Sequence, residues 1–225
     1  MKALTIETST ELECVGLVVD NELVSERSVE AGRGRDLELL EVVREVLAGA
    51  GMRPGDLDLV AVSSGPGRFT GLRVGMATAK GLAAPGGPDV VAVSTLRALA
   101  ASSGLAGTVA PLLDARRGEV YAALFEGGRR LSDDIACAPG ELGRALPKVD
   151  GAIACVGGGA LAYRDAVADA LGTSAVIVEE APVRPDPGAL ARLAETAPPT
   201  ALADIEPIYV RGVGAVKPVP PRDSG

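Results

Sequence analysis

The chain has 225 residues, 47% hydrophobic and 23% charged, the balance of a soluble globular protein with room for one large domain or two small ones. Against 30 acidic residues stand 22 basic ones, a net charge of −8, which opposes unaided binding to a phosphate backbone because that affinity comes from counterions released around basic groups. Histidine is absent, and with it go the commonest general base near neutral pH, Ser-His and Cys-His nucleophile pairs, and every histidine-containing zinc site.

The opening Met1-Lys2-Ala3-Leu4-Thr5-Ile6 meets Glu7 too early to be the core of a signal peptide. Residues 3–6 predict a strand, Glu7-Thr8-Ser9-Thr10 a polar turn, and residues 14–19 a second strand. Asp20-Asn21 then turns the chain into a third strand at 22–29, giving a β-meander. From Asp36, a suitable cap, the period becomes helical: Leu37, Leu40, Val43, Val46 and Leu47 mark one face and Glu38, Glu41, Arg44 and Glu45 the other, so a helix is expected over 36–48. A buried strand at 59–62 leads into the glycine-rich loop Ser63-Ser64-Gly65-Pro66-Gly67-Arg68-Phe69-Thr70-Gly71 and a second helix to about Ala84. A strand at 90–93 and a helix at 94–102 follow.

The second half repeats the order. Leu112-Leu113-Asp114, the turn Arg117-Gly118-Glu119 and a strand at 120–125 answer the opening strand, acidic turn and strand, with Gly127-Gly128 standing where Asp20-Asn21 stood. A strand at 153–156 before Gly157-Gly158-Gly159 answers 60–62 and its glycine loop. The strand at 176–178 with the helix at 187–195 answers 90–100. The expectation is an α/β fold of two duplicated βββαβα halves, residues 1–104 and 105–215, with a disordered tail at 216–225.

The longest uncharged stretch, residues 98–113, is broken by Ser, Gly and Pro and is too short for a membrane span. Cys14, Cys137 and Cys155 are distant in sequence and set among apolar residues, which reads as three buried thiols in a cytoplasmic protein. With five aromatics and no Trp there are few candidates for a base-stacking platform.

The glycine loop fits neither known phosphate template: Lys80 lies outside it on the helix, and Thr70 occupies the third glycine position of a dinucleotide fingerprint. Gly67, Gly71 and Gly75 are therefore expected to permit a tight turn and close helix packing, with nucleotide binding as the alternative. Glu7, Thr8, Ser9 and Thr10, with Asp114 in the matching place, form a candidate nucleotide site in which two acids bracket a magnesium nucleotide; the alternative is that they only end strands. Arg68, Arg73, Arg116 and Arg117 read as solvated or salt-bridged. The two first-half helices offer a candidate partner surface at Asp36, Leu40, Val43, Leu47, Thr70, Arg73, Val74, Ala77, Lys80 and Gly81, where small residues allow another helix to approach.

Ser64-Gly65-Pro66-Gly67-Arg68-Phe69-Thr70-Gly71-Leu72-Arg73-Val74-Gly75, followed by Ala79-Lys80-Gly81-Leu82-Ala83, resembles the signature of the bacterial TsaB (YeaZ) family. Ile6-Glu7-Thr8-Ser9-Thr10, Val93-Ser94-Thr95-Leu96, Leu113-Asp114-Ala115-Arg116-Arg117-Gly118-Glu119-Val120-Tyr121 and Glu206-Pro207-Ile208-Tyr209-Val210-Arg211 resemble family segments in the same order. Glu7, where many relatives carry Asp, and Arg35-Asp36, where many carry His-Ser, depart from the pattern.

The resemblance implies the ASKHA (actin-like, ribonuclease H-like) fold and a noncatalytic subunit of the complex that makes threonylcarbamoyladenosine next to the anticodon of ANN-decoding tRNAs. It implies pairing with a TsaD-like catalytic subunit that binds metal through histidines, an added TsaE-like ATPase, and tRNA met only through the complex. ATP or ADP and metal would belong to those partners or their interface, and the chain alone could form a homodimer. The competing readings are an enzyme of the same superfamily, a phosphotransferase or a glycoprotease-like peptidase, and a homodimeric binding module.

Overall fold

The computed structural model describes residues 1–30, 36–83 and 86–210, with backbone alone at 36–38. The expected tail at 216–225, together with Arg35, Ala84 and Arg211, lies outside the described residues.

The first half is built from β1 (Lys2–Glu7), β2 (Leu12–Val19), β3 (Glu22–Glu30), α1 (Asp36–Gly49), β4 (Leu59–Gly65), α2 (Phe69–Leu82), β5 (Asp89–Ser94) and α3 (Thr95–Ser102). Its sheet runs β3-β2-β1-β4-β5, with the meander antiparallel and β1, β4 and β5 parallel. The second half comprises β6 (Thr108–Arg116), β7 (Glu119–Ala122), β8 (Phe125–Glu126), β9 (Arg129–Arg130), β10 (Ile135–Cys137), α4 (Leu142–Ala145), β11 (Ile153–Val156), α5 (Gly158–Ala162), α6 (Arg164–Leu171), β12 (Ala175–Ile177) and α7 (Pro187–Glu195). The order β10-β7-β6-β11-β12 repeats the first sheet strand for strand. Each half thus runs one βα step beyond the expected βββαβα.

The duplication reaches the turns. Asp20 and Asn21 both have positive φ between β2 and β3, and Gly127 and Gly128 do so between β8 and β9, the left-handed pair that a two-residue hairpin turn requires. The strand expected at 120–125 is divided into β7 and β8, but both pair with β6 in one register: Leu112 faces Ala122 and Val109 faces Phe125. The third strand is divided more deeply. Arg130 faces Phe125 whereas Ile135 faces Ala122, which leaves extra residues between them; Ser132 Oγ turns back to accept the Leu124 N–H at 2.9 Å.

Strand alternation sorts the first sheet into two cores. Leu4, Ile6, Val15, Leu17, Val60 and Val62 face Leu39, Val42, Val43, Val46 and Leu47 of α1 and Met76 and Ala79 of α2. Ala3, Val18, Leu59, Ala61, Val91 and Val93 face Ala98 of α3 and Leu190, Ala191 and Ala194 of α7. The inward stripe of α1 is therefore set by Leu39 rather than Leu40, which points outward at 48% exposure. Leu96 and Leu99 of α3 pack on the second sheet with Val109, Leu113, Phe125 and Val156, so α3 is shared by both halves. The three cysteines are buried and unbonded to one another.

Helix α7 belongs to the second half in sequence yet lies on the first sheet. Its start is fixed by Asp186, whose Oδ1 accepts the Ala189 N–H at 2.9 Å, by Pro187 in the first turn, and by Ser102 at the end of α3, whose hydroxyl accepts the Asp186 N–H at 2.8 Å. Pro187 rests on Gly16 of β2, where a Cβ would come 2.4 Å from the proline Cβ. Gly16→Ala is expected to cost about 1–3 kcal/mol by displacing α7, whereas Gly55→Ala, whose new methyl meets nothing within 4 Å, should stay within about 0.5 kcal/mol of the parent. Urea unfolding of the two variants measures the difference; equal effects would mean that α7 is not seated on β2.

Candidate functional site

The C-terminal end of β1 delivers Glu7 into the protein, 1% exposed. Its Oε1 accepts the Ser9 N–H at 2.7 Å and the Ser9 hydroxyl, and its Oε2 accepts the hydroxyl of Ser63 on the neighbouring strand β4. Burial raises its pKa above the ordinary 4.5, while the bonds from Ser63 and Ser9 and the charge of Arg184 pull the other way. Both carboxylate oxygens are thus taken up in fixing the turn. Thr8 is fully buried beside it, and its hydroxyl oxygen has no hydrogen-bond partner.

Helix α2 is laid directly on this turn. A Cβ at Gly67 would stand 2.5 Å from the Ser9 carbonyl oxygen, one at Gly71 2.0 Å from that of Thr8, and one at Gly75 2.3 Å from the Thr8 hydroxyl oxygen. The Arg68 N–H donates to the Ser9 carbonyl at 2.8 Å. Two backbone carbonyls and a hydroxyl of this same chain lie against the three glycines, so the glycines serve close packing. The second half repeats the device: a Cβ at Gly157 would meet the Leu112 carbonyl oxygen at 2.5 Å, and one at Gly159 would approach Leu113 within 2.8 Å.

Between the halves lies a cleft of about 350 Å³ whose lining includes Ser9, Thr10, Glu11, Arg68, Asp114, Arg116, Gly158 and Arg184. Of the five residues expected at a nucleotide site, Ser9, Thr10 and Asp114 line it, while Glu7 and Thr8 are buried behind. Asp114 repeats part of the Glu7 geometry, its Oδ1 accepting the Arg116 N–H at 2.8 Å, but it is open and also accepts the Tyr163 hydroxyl at 3.3 Å. The cleft arginines have carboxylate partners. Arg68 reaches Glu13 at 3.2 Å and Glu11 at 3.6 Å, and Arg116 pairs with Glu11 and lies 3.6 Å from Asp114. Arg184 crosses from the second half to Glu26 of β3 at 2.8 Å. Burial opposes ionisation of Glu26, yet Cys14, Arg184 and Ser28 hold its pKa below the ordinary value. Among the described residues no cluster of three or more His, Cys, Asp or Glu is placed to hold a metal ion.

The thiols offer no nucleophile. Burial pushes Cys14 up to about 12 and Cys137 and Cys155 up to about 11, so each is protonated at neutral pH.

The second candidate surface is the outward side of α1 and α2. Leu40 is exposed there with Thr70, Arg73, Ala77 and Gly81, and Val74 and Lys80 are half-buried. Val43 and Leu47, expected at this surface, are buried core residues that pack on the sheet, and Asp36 is placed as the first residue of α1 by its backbone alone. Sequence reasoning missed Phe69 and Tyr209, exposed at 52% and 56%. Their rings stack with centroids 5.5 Å apart, and the Arg73 guanidinium lies 3.7 Å over Phe69 while its Nε donates to the Tyr209 hydroxyl at 3.3 Å.

A profile of the family described as "TsaD: tRNA N6-adenosine threonylcarbamoyltransferase" matches residues 29–155. The chain is 28% identical, over 94% of both lengths, to the tRNA threonylcarbamoyladenosine biosynthesis protein TsaB of Bacillus subtilis. It superposes on YeaZ from Pseudomonas aeruginosa with a TM-score of 0.77 at 26% identity, over 93% of this chain and 99% of that one. Component A of the (R)-2-hydroxyglutaryl-CoA dehydratase of Acidaminococcus fermentans matches over 91% of this chain with a TM-score of 0.51 at 16% identity, a likeness of fold alone. The duplicated architecture is the ASKHA fold.

Because folding raises the Glu7 pKa, the native state holds this proton over a pH range in which the unfolded chain has lost it, so Glu7 lowers stability as pH climbs from about 4.5 and does so fully above its folded pKa. Glu7→Gln removes that dependence. Urea unfolding of both proteins from pH 4 to pH 8 should show the variant gaining on the parent as pH rises; a difference that stays constant would mean that folding leaves the Glu7 pKa unshifted.

Proposed function

This chain belongs to the TsaB (YeaZ) family, within the wider tRNA N6-adenosine threonylcarbamoyltransferase (TsaD) family, and on that premise we propose that it is the noncatalytic subunit of a threonylcarbamoyladenosine-forming complex. Its catalytic partner is TsaD-like, a TsaE-like ATPase joins the pair, and tRNA is met through the assembly. What carries the reading is the outward side of α1 and α2, where Leu40, Phe69 and Ala77 present apolar surface between charged side chains on rigid helices.

The chemistry of the chain supports a supporting role. It has no histidine, its thiols are buried and protonated, Glu7 is saturated by Ser9 and Ser63, and the cleft arginines are paired. A magnesium nucleotide in the cleft would find one of its two expected acids buried, and its phosphates would compete with Glu11 for Arg68 and Arg116. We therefore assign nucleotide and metal to the partner subunits. The net charge of −8 leaves tRNA contact to more basic partners.

Ala77 is exposed on α2, two residues from fully buried Ala79. Ala77→Glu is expected to weaken pairing with the TsaD-like subunit by about 2–4 kcal/mol and to abolish tRNA modification while leaving thermal unfolding unchanged. Ala79→Glu should instead unfold the protein. Heterodimer titration, a modification assay and a melting curve separate the two effects. ATP turnover by the pure chain, or pairing untouched by Ala77→Glu, would overturn the reading.

A further inference from the structure

The chain passes from the second half onto the first sheet at residues 183–187. The Val183 carbonyl accepts the Gly158 N–H of α5 at 3.2 Å, Arg184 reaches β3, the Asp186 N–H goes to Ser102 of α3, and Pro187 rests on Gly16 of β2. Arg184 holds this passage together. Its Nη2 donates to Glu26 Oε1 at 2.8 Å and to the Ser28 hydroxyl at 3.0 Å, and its Nη1 donates to the Pro185 carbonyl at 3.0 Å. One guanidinium thus grips both the strand it has reached and the backbone turning into α7. Its side chain is 15% exposed and that of Glu26 32%. Glu26 Oε1 also accepts the Cys14 thiol at 3.1 Å and the Ser28 hydroxyl at 3.3 Å, and the Arg184 charge is felt at buried Glu7.

Along its length α7 meets the sheet mostly through small side chains. It buries Pro187, Ala189, Leu190, Ala191 and Ala194, with Leu193 partly buried beside them. A buried methyl contributes only about 0.8 kcal/mol, so the seating of the helix leans on its two ends. The far end is pinned to β5 by Thr200, whose N–H donates to the Val90 carbonyl at 2.7 Å and whose hydroxyl accepts the Ala92 N–H at 3.1 Å. The near end has the Arg184–Glu26 pair. Removing one partner of such a pair leaves the other charge partly desolvated without its counter-ion. Val183 and Arg184 also line the cleft, so the near end is reached from there.

We propose that Arg184 is the latch of α7. While its guanidinium lies on Glu26, the first turn of α7 stays on β2. Without that pair this end lifts off the sheet, Thr200 keeps the other end on β5, and the rest of the first half stays folded. The cleft wall and the seating of α7 are therefore one conformational device, set by which way a single arginine points.

The test is native-state amide hydrogen exchange, read by mass spectrometry on the full chain, for the parent, Arg184→Met, Glu26→Gln and the double variant. Helix α1 is the internal reference, because it packs on the opposite face of the same sheet. Arg184→Met should speed exchange over residues 186–193 on the order of tenfold, and Glu26→Gln, which keeps the acceptor but not the charge, at least about threefold. Exchange over 39–49 should match the parent in both. The double variant should exchange no faster than Arg184→Met alone, since the two residues act as one pair. If Arg184→Met does not fold, Glu26→Gln carries the same comparison of α7 with α1. Equal acceleration of α7 and α1 would mean that the pair supports the whole first half and latches nothing. Unchanged exchange over 186–193, or effects of the two substitutions that multiply in the double variant, would also overturn the proposal.

Discussion

Everything on the first half's outer side depends on how closely α2 lies on the turn after β1. The loop into the helix touches the Ser9 backbone through Gly67, and the helix touches the Thr8 backbone through Gly71 and the Thr8 hydroxyl through Gly75, at separations where a methyl group would overlap an oxygen. Contact this close requires the turn to be immobile, and Glu7 makes it so by drawing Ser9 and Ser63 onto one carboxylate. The desolvation of that carboxylate is the cost of the arrangement. With α2 fixed at this depth, Met76 and Ala79 reach the sheet and Arg73 and Ala77 are left facing out.

The two halves are joined by exchange rather than by one flat interface. Helix α3 contributes Ala98 to a core under the first sheet and Leu96 and Leu99 to one on the second, while α7 returns from the second half to cover β1, β2 and β4. Arg184 to Glu26 and Arg116 to Glu11 cross between the halves on the cleft side. The exposed Arg116–Glu11 pair contributes little and the half-buried Arg184–Glu26 is a single pair, so cohesion comes mainly from the shared helices, and the cleft pairs decide which charges a visitor would meet.

Local pattern was legible and tertiary placement was not. The meander, both helix ranges, the glycine loops and the duplication follow from periodicity and turn chemistry, which act within a few residues. The phase of α1 was misread because Leu39, Leu40, Val42, Val43, Val46 and Leu47 are apolar on adjoining positions, and only the sheet beneath decides that Leu40 is the one left out. β10 went unrecognised because three residues, Ile135, Ala136 and Cys137, carry too little alternation to register as a strand. The burial of Glu7 and Thr8 was hidden because it depends on contact with α2. Tyr209 carried no periodic signal, since what orders it is a bond from its neighbour Ile208 to Ser64, far away in sequence.

The route by which α7 covers the first sheet has a consequence for the order of synthesis. As the polypeptide leaves the ribosome, residues 1–104 emerge with every strand of the first sheet, yet Ala3, Val18, Leu59, Ala61, Val91 and Val93 must wait for Leu190, Ala191 and Ala194, which are translated after nearly all of the second half. Until then the nascent first half exposes one apolar face of a five-stranded sheet, and that face is where a holding chaperone would act and where premature termination would leave a sticky product. Docking of α7 thus comes late, after nearly all of the second half has been translated.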